Sequence, residues 1–367
     1  MKKTLIALAA LGAMAGAAHA QSTVTLYGLL DANFQSYKTN IVGAGGVVQN
    51  ITQTKIDSGG LNGSRWGLRV SEDIGGGMAV IGNVESGFDL STGGSSQGAL
   101  FGRRANVGIS SGFGKLEIGR NTSSYDDVGA DYTMMGATIF DPSGTNNGVA
   151  ANATGVASLI GGHNTTWIGY NSRFNNSVKY TSPNFSGFSA GVMYAFGEDK
   201  TQANNASKTV SANLKYANGP LLVSGGYQSE AAQNSVGTLG GKPALENTLL
   251  SVAYDFGVAK VGAGFNRAKF KDFAVGKSLA AQKEWSLSVA VPLGATTISA
   301  GYAQSKGDDL GKSTGYGIQA LYSLSKRSTL YAGAASSKTY DKLAALAPVG
   351  SNVGRTTTYG AGLRHTF

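Results

Sequence analysis

The feature that most constrains this chain is a rhythm in the spacing of its strands. Stretches in which residue character alternates with period two recur from residue 23 to the C-terminus. They predict sixteen strands, at 23–35, 64–71, 78–86, 100–110, 115–120, 175–182, 188–197, 208–217, 221–229, 247–256, 258–269, 282–291, 296–305, 314–323, 329–337 and 356–367. The connections run long, then short, throughout. Residues 36–63 are followed by 72–77, 87–99 by 111–114, 121–174 by 183–187, and 198–207 by 218–220. Then 230–246 is followed by Gly257 alone, 270–281 by 292–295, and 306–313 by 324–328, with 338–355 last. A β-sandwich has no reason to keep every second connection to six residues or fewer. A sheet that crosses a membrane as a barrel does: tight turns gather at one end and longer loops at the other.

The sense of the alternation supports the same reading. Val24, Leu26, Leu30 and Phe34 alternate with Thr23, Thr25, Asp31 and Asn33, and Leu250, Val252 and Tyr254 with Ser251, Ala253 and Asp255. One register is apolar; the other is small or polar and rich in Gly, of which the chain has 55. Charged residues make up 14%, against ~25% in soluble domains, so the polar register is poor material for a solvated surface. Tyr27, Trp66, Tyr180, Phe196, Tyr216, Tyr254, Trp285, Tyr302 and Tyr322 lie near strand ends, where aromatic girdles meet the two membrane interfaces. Lipid offers no hydrogen bonds, so sixteen such strands must close on one another. A barrel of that size leaves an aqueous channel. Mean hydropathy is −0.07, and beyond the N-terminus no ~20-residue apolar run offers a membrane helix. The absence of Cys excludes a disulfide scaffold and a Cys zinc site.

Residues 1–20 read as a secretory signal peptide: Lys2 and Lys3, an apolar Leu5–Ala15 stretch, and Ala18-His19-Ala20 as the cleavage site. The barrel is then 21–367. Without Lys2 and Lys3 it carries 28 basic and 21 acidic residues, a charge of +7.

Enzyme chemistry lacks its inventory. Beyond the leader the histidines are His163 and His365, neither beside a G-x-S-x-G nucleophile motif. The Gly-rich SEDIGGGMAV lacks the Lys-Ser/Thr of a phosphate loop. No basic cluster is interleaved with aromatics, which argues against nucleic acid. Asp126-Asp127 and Asp308-Asp309 could hold Ca²⁺, but paired Asp in loops is more often turn chemistry. No cofactor and no metal are expected.

Parity turns a set of basic residues inward. Arg65 and Arg69 oppose Trp66 and Leu68; Arg173 shares its register with Ser177 and Lys179. Arg103 and Arg104 are adjacent, so alternation sends one of them to the lumen and favours Arg104. Arg120 has outward parity. The 121–174 connection is far longer than ordinary loops, a length that is usually functional or disordered, and carries Asp126, Asp127, Asp131 and Asp141. Arginines facing acids across a narrow passage set up a transverse field, and basic rings favour anions.

TVTLYGLLDANF, GSRWGLRVSEDIGGGMAV, ESGFDLSTG, LFGRRANVGISSGFGKLEIGRN, NNSVKYTSPNFSGFSAGVMYAFG and the ending YGAGLRHTF together resemble the Gram-negative general porins of β-proteobacteria. The resemblance runs the length of the chain after the leader. It implies an all-β, 16-stranded antiparallel transmembrane barrel with short periplasmic turns, long extracellular loops and an inward-folded third loop, here 121–174. It implies a homotrimer in the outer membrane, in contact with lipopolysaccharide, which passes ions and small hydrophilic solutes by diffusion. It aligns the pore arginine with Arg103 and puts Arg120 near a subunit contact. Phe367, in register with Leu363, Ala361 and Tyr359, becomes the signal read by the barrel-assembly machinery. The constriction set is then Arg65, Arg69, Arg103, Arg173 and Lys179, with Lys215 beside them, facing Asp131 and Asp141. The expected activity is mildly anion-selective diffusion. The alternative is a barrel plugged by its third loop that serves as an anchor or adhesin.

Overall fold

The computed structural model describes residues 22–136, 138–144, 166–202, 205–232, 244–272, 278–342 and 352–367. The signal-peptide reading of 1–20 and His163 fall outside them. The strands are β1 (Thr23–Val42), β2 (Val48–Ser58), β3 (Arg65–Gly75), β4 (Met78–Gly87), β5 (Arg104–Ser111), β6 (Gly114–Thr122), β7 (Arg173–Thr181), β8 (Phe188–Phe196), β9 (Lys208–Asn218), β10 (Leu221–Ala231), β11 (Ala244–Asp255), β12 (Lys260–Lys271), β13 (Gln282–Leu293), β14 (Thr296–Gly307), β15 (Gly311–Ser323), β16 (Ser328–Lys338) and β17 (Asn352–Thr366). All join one antiparallel sheet. β17 returns to pair with β1, from Leu29↔Thr366 to Ile41↔Asn352, so the sheet has no free edge.

β2 and β3 together form one stave of the wall. The first half of β1 pairs with β3 from Thr23↔Ser71 to Leu29↔Arg65, and its second half with β2 from Ala32↔Ser58 to Val42↔Val48. The barrel is therefore sixteen-stranded. β2 lies inside the 36–63 connection, which alternation reads as loop. The reason is physical: β1 is 20 residues long, about twice the 9–11 that cross a bilayer. The β1–β2 hairpin thus continues past the lipid, where no apolar register is needed, and β2 is exposed or half-exposed on both faces.

Outward residues are apolar, as Leu214, Leu250 and Leu287 are, and inward ones small or polar, as Ser211, Asn247 and Ser286 are. Aromatics mark both ends: Phe188 meets Tyr216 at 4.5 Å near the short turns, and Trp285 meets Tyr302 at 5.1 Å near the long loops. Tyr27 is the exception among the nine girdle aromatics, because it lies on the inward register of β1. Its hydroxyl donates to Glu85 Oε2 at 2.9 Å.

Of the connection between β6 and β7, residues 123–136, 138–144 and 166–172 line the inside of the barrel. Ser124 N–H donates to Ser211 Oγ (2.9 Å), Met134 N–H to Ser288 Oγ (2.8 Å) and Ile168 N–H to Glu284 Oε1 (2.6 Å). Asn171 donates through both its backbone and side-chain amides to Glu230. Tyr132 lies on Gly262 and Gly264. A Cβ at Gly262 would stand 2.2 Å from the Tyr132 carbonyl oxygen, and one at Gly264 2.6 Å from its ring. Glycine on this stretch of wall is what lets the loop lie flat.

Candidate functional site: the lumen constriction

The site lies between the β3–β7 wall and the inward loop. Glu85 on β4 is its centre. Arg103 Nε lies 2.7 Å from Glu85 Oε1, and Arg65 Nε lies 3.7 Å from Oε2. Tyr27 donates to the same carboxylate, and its ring carries the Arg69 guanidinium at 4.1 Å. Arg65, Arg69 and Arg103 are thus gathered around one carboxylate and one phenol.

Both members of the Arg103-Arg104 pair reach the lumen. β5 begins only at Arg104, so Arg103 precedes the strand and escapes its alternation. Arg104 shares the inward register with Asn106 and donates to Thr122 Oγ1 at 3.2 Å. Arg173 opens β7 opposite Thr122, where the charges of Arg103, Asp126 and Glu85 all act on it.

The acids of the loop are already partnered. Lys179 Nζ lies 2.7 Å from Asp127 Oδ2, and Lys215 Nζ 3.0 Å from Asp131 Oδ2. Tyr170 donates to Asp126 Oδ1 at 3.0 Å. Burial pushes the carboxyls of Asp126 and Asp127 above the usual aspartate range, against the pull of Arg173 on the first and Lys179 on the second. A cavity of about 270 Å³ opens beside these pairs, lined by Arg104, Lys115, Lys179 and Lys215 with Glu117 and Asp127.

Asp141 does not face the passage. It is 2% exposed, and its Oδ1 accepts the backbone N–H and the hydroxyl of Ser143. The Asp-Pro-Ser turn holds it inside the loop. Arg120 keeps its outward parity, pairing with Ala105 across the sheet, and donates to Gly102 O and Asn175 Oδ1.

Glu85 and Arg364 are among the lumen charges absent from the set read from sequence. Glu85 shares parity with Asn83 opposite Val84, and Arg364 shares parity with Gly362 opposite Leu363; the rule that found Arg65 reaches both. Arg364 donates to Asn62 Oδ1 at 2.9 Å and its charge acts on Arg65. Arg69, Arg104, Arg173 and Arg364 take part in none of the seven ion pairs among the described residues.

A family model described as Gram-negative porin matches residues 7–342. The chain belongs to the Gram-negative porin family. This porin is 33% identical over 287 residues to an outer membrane porin protein of Bordetella pertussis, covering 73% of this chain and 69% of that protein. It is 33% identical over 273 residues to outer membrane porin protein 32 of Delftia acidovorans, covering 74% and 71%. Among solved structures it superposes on an anion-selective porin from Comamonas acidovorans with a TM-score of 0.78 at 27% identity, covering 95% of this chain and all of that one. It is an integral outer-membrane barrel, a water-filled channel through which ions and small hydrophilic solutes diffuse.

Proposed function

We propose that this porin is a mildly anion-selective diffusion channel rather than a blocked anchor, and not an enzyme. The observation that carries the reading is an imbalance in the lumen. Asp127 and Asp131 are already matched by Lys179 and Lys215, while Arg65 and Arg103 share the single carboxylate Glu85 and Arg69 lies over the Tyr27 ring. Arg104, Arg173 and Arg364 add to the surplus. A dissolved anion entering the passage meets cations whose counter-charges do not cancel them, in a space too narrow for full screening. The anion selectivity named for the Comamonas structure agrees in sign.

Within this reading Arg65, Arg69, Arg103 and Arg173 form the basic wall of the constriction, Lys179 with Asp127 and Asp131 with Lys215 its paired rim, and residues 1–20 a cleaved leader. The working unit is a homotrimer with Arg120 at the subunit contact, supported by the trimer form named for a Vibrio cholerae barrel of the same fold. Lipopolysaccharide surrounds it, and Phe367 serves the assembly machinery. The deciding experiment is the zero-current potential across a planar bilayer in a KCl gradient, with liposome swelling by sugars of graded size. A chloride preference with swelling supports the reading. A potassium preference removes the selectivity, and no swelling at any sugar size removes the channel in favour of the anchor.

A further inference from the structure

The cavity of about 270 Å³ beside the inward loop holds charges that the constriction does not use. Asp127 and Val128 of the loop cover it, and the inward faces of β5 to β9 form its wall. It reaches toward the short turns as far as Lys115, one residue into β6. Two of its cations are already matched. Lys179 Nζ binds both carboxylate oxygens of Asp127, and Lys215 Nζ binds Asp131. Arg104, Lys115 and Glu117 are left, and none of them belongs to an ion pair among the described residues. Their contacts to neutral groups cancel no charge: Arg104 donates to Thr122 Oγ1, and Glu117 Oε1 accepts the Asn106 amide at 3.1 Å. A carboxylate has about four lone-pair sites, so Glu117 can still accept an ammonium.

The order of these charges along the wall says what would satisfy them. Lys115 and Glu117 stand two residues apart on one face of β6, about 7 Å along the strand. An α-amino acid carries its ammonium beside its carboxylate, so it bridges the two, ammonium on Glu117 and carboxylate on Lys115. Thr181, opposite Lys115 across the sheet, lines the same end and offers a hydroxyl. Arg104 stands at the other end, near Thr122, and its planar fork suits a second carboxylate. Arg104, Lys115 and Glu117 together carry one net positive charge; a solute with two carboxylates and one ammonium carries the opposite. A dicarboxylate without an amine would face Glu117 with like charge, and a neutral amino acid would leave Arg104 unmatched. At ~30 Å³ per liquid water the cavity holds on the order of nine waters, room for a four- or five-carbon amino acid.

We propose that Arg104, Lys115 and Glu117 form a subsite for acidic α-amino acids, under the inward loop on the short-turn side of the constriction. It names a solute class for the channel and rests on the diffusion-channel reading for the solute's route to the site. The test uses the full-length protein in detergent and three probes of one carbon skeleton. These are L-glutamate, glutarate, which lacks the ammonium, and L-glutamine, which lacks the second carboxylate. Binding is read by isothermal titration calorimetry, and potassium chloride conductance in a planar bilayer is read on the same proteins.

The wild type should bind glutamate about tenfold more tightly than either analogue, because each analogue lacks one charge-assisted contact. Glu117→Gln should weaken glutamate about tenfold and abolish its margin over glutarate. Arg104→Gln should abolish the margin over glutamine, and Lys115→Gln should weaken glutamate and glutamine together. Lys326→Gln, exposed in a short turn outside the cavity, should bind as the wild type does. Should Arg104→Gln fold poorly, the Glu117→Gln and Lys115→Gln comparisons carry the test. A diffuse positive potential predicts the opposite sign at one position: removing Glu117 would then strengthen glutamate and glutarate alike. That outcome overturns the proposal, as does glutarate binding the wild type as tightly as glutamate. Conductance without saturable glutamate binding also overturns the subsite and leaves the channel standing. Glutamate binding without conductance overturns the channel and leaves the subsite standing.

Discussion

Arg103 meets Glu85 at 2.7 Å although neither residue is held by the strand alternation of the other. Arg103 ends a loop, and Glu85 stands inside β4. The pair fixes one arginine of the constriction and leaves Arg65 and Arg69 only partly balanced. Glu85→Gln keeps the hydrogen-bond acceptor and removes the charge. A unit charge ~8 Å from a passing ion is worth about 0.5 kcal/mol in a water-like dielectric, about a twofold change in ion preference. The chloride-to-potassium permeability ratio should therefore rise about twofold in Glu85→Gln and fall comparably in Arg103→Gln, read as zero-current potential. A ratio unmoved by either substitution would mean that these charges do not set selectivity.

Asp31 organises the break between β2 and β3. Its carboxylate is wholly buried and accepts the N–H groups of Gly60 (3.2 Å), Leu61 (2.8 Å) and Asn62 (2.8 Å), together with the Tyr331 hydroxyl. The break in turn holds the inward loop: Gly60 O accepts Ile139 N–H at 2.9 Å, and Leu61 packs with Met135, Phe140 and Tyr331. Asp31→Ala strands four donors, the three N–H groups and the Tyr331 hydroxyl, at about 1–3 kcal/mol for each one left unsatisfied. It should lower the temperature at which the folded barrel loses its fast electrophoretic mobility and make single-channel current noisy. Tyr331→Phe removes one donor and should cost about 1 kcal/mol. Equal effects from the two would place the organising role elsewhere.

The barrel was legible in the sequence because lipid imposes its own pattern. Wherever a strand crosses the bilayer, as β11 and β13 do, an apolar register must appear, and counting registers counts staves. The pattern fails where the lipid ends. β2 has no apolar face to announce it, and Arg103 is free of parity because its strand has not begun. Inside the barrel, parity places a residue on the lumen face but does not say whether the loop covers it. That is why Asp131 and Asp141 look alike in sequence while one pairs with Lys215 and the other is sealed within its own turn. Tyr27 misleads for a related reason: an aromatic near a strand end reads as girdle unless its register is followed, and here the register leads to Glu85.

The loop acids give a pH dependence with a definite sign. Burial raises the carboxyls of Asp126 and Asp127, so in acid they take up protons at a higher pH than an ordinary aspartate with a value of about 3.9. Each proton removes negative charge from the passage while the arginines stay charged, so the chloride-to-potassium ratio should rise as pH falls from 7 toward 4. In stability terms a raised carboxyl favours the protonated folded state; its contribution is complete at low pH and is lost as pH rises through the folded value. Asp126→Asn/Asp127→Asn should flatten the selectivity curve. Asp141 is raised by burial as well, but it lies out of the passage, so Asp141→Asn should leave the curve as it is. A curve flattened by Asp141→Asn would return that residue to the pore.

The barrel closes where Phe367 and Gly28 exchange backbone hydrogen bonds, each 3.1 Å. The Phe367 ring lies over Gly28 so closely that a Cβ there would stand 2.2 Å from ring Cζ, far inside any real contact. Gly28→Val should therefore impede closure and reduce the fraction of refolded protein that shows the fast, heat-modifiable mobility. Phe367→Ala by itself removes the ring that packs on Gly28. The double variant separates the two causes. If the harm of Gly28→Val is collision with the ring, then Gly28→Val/Phe367→Ala should refold in detergent better than Gly28→Val alone, because the ring it strikes is gone. Detergent refolding involves no assembly machinery, so a double variant no better than Gly28→Val would show that the glycine serves the backbone of β1 and not the seat of the terminal ring.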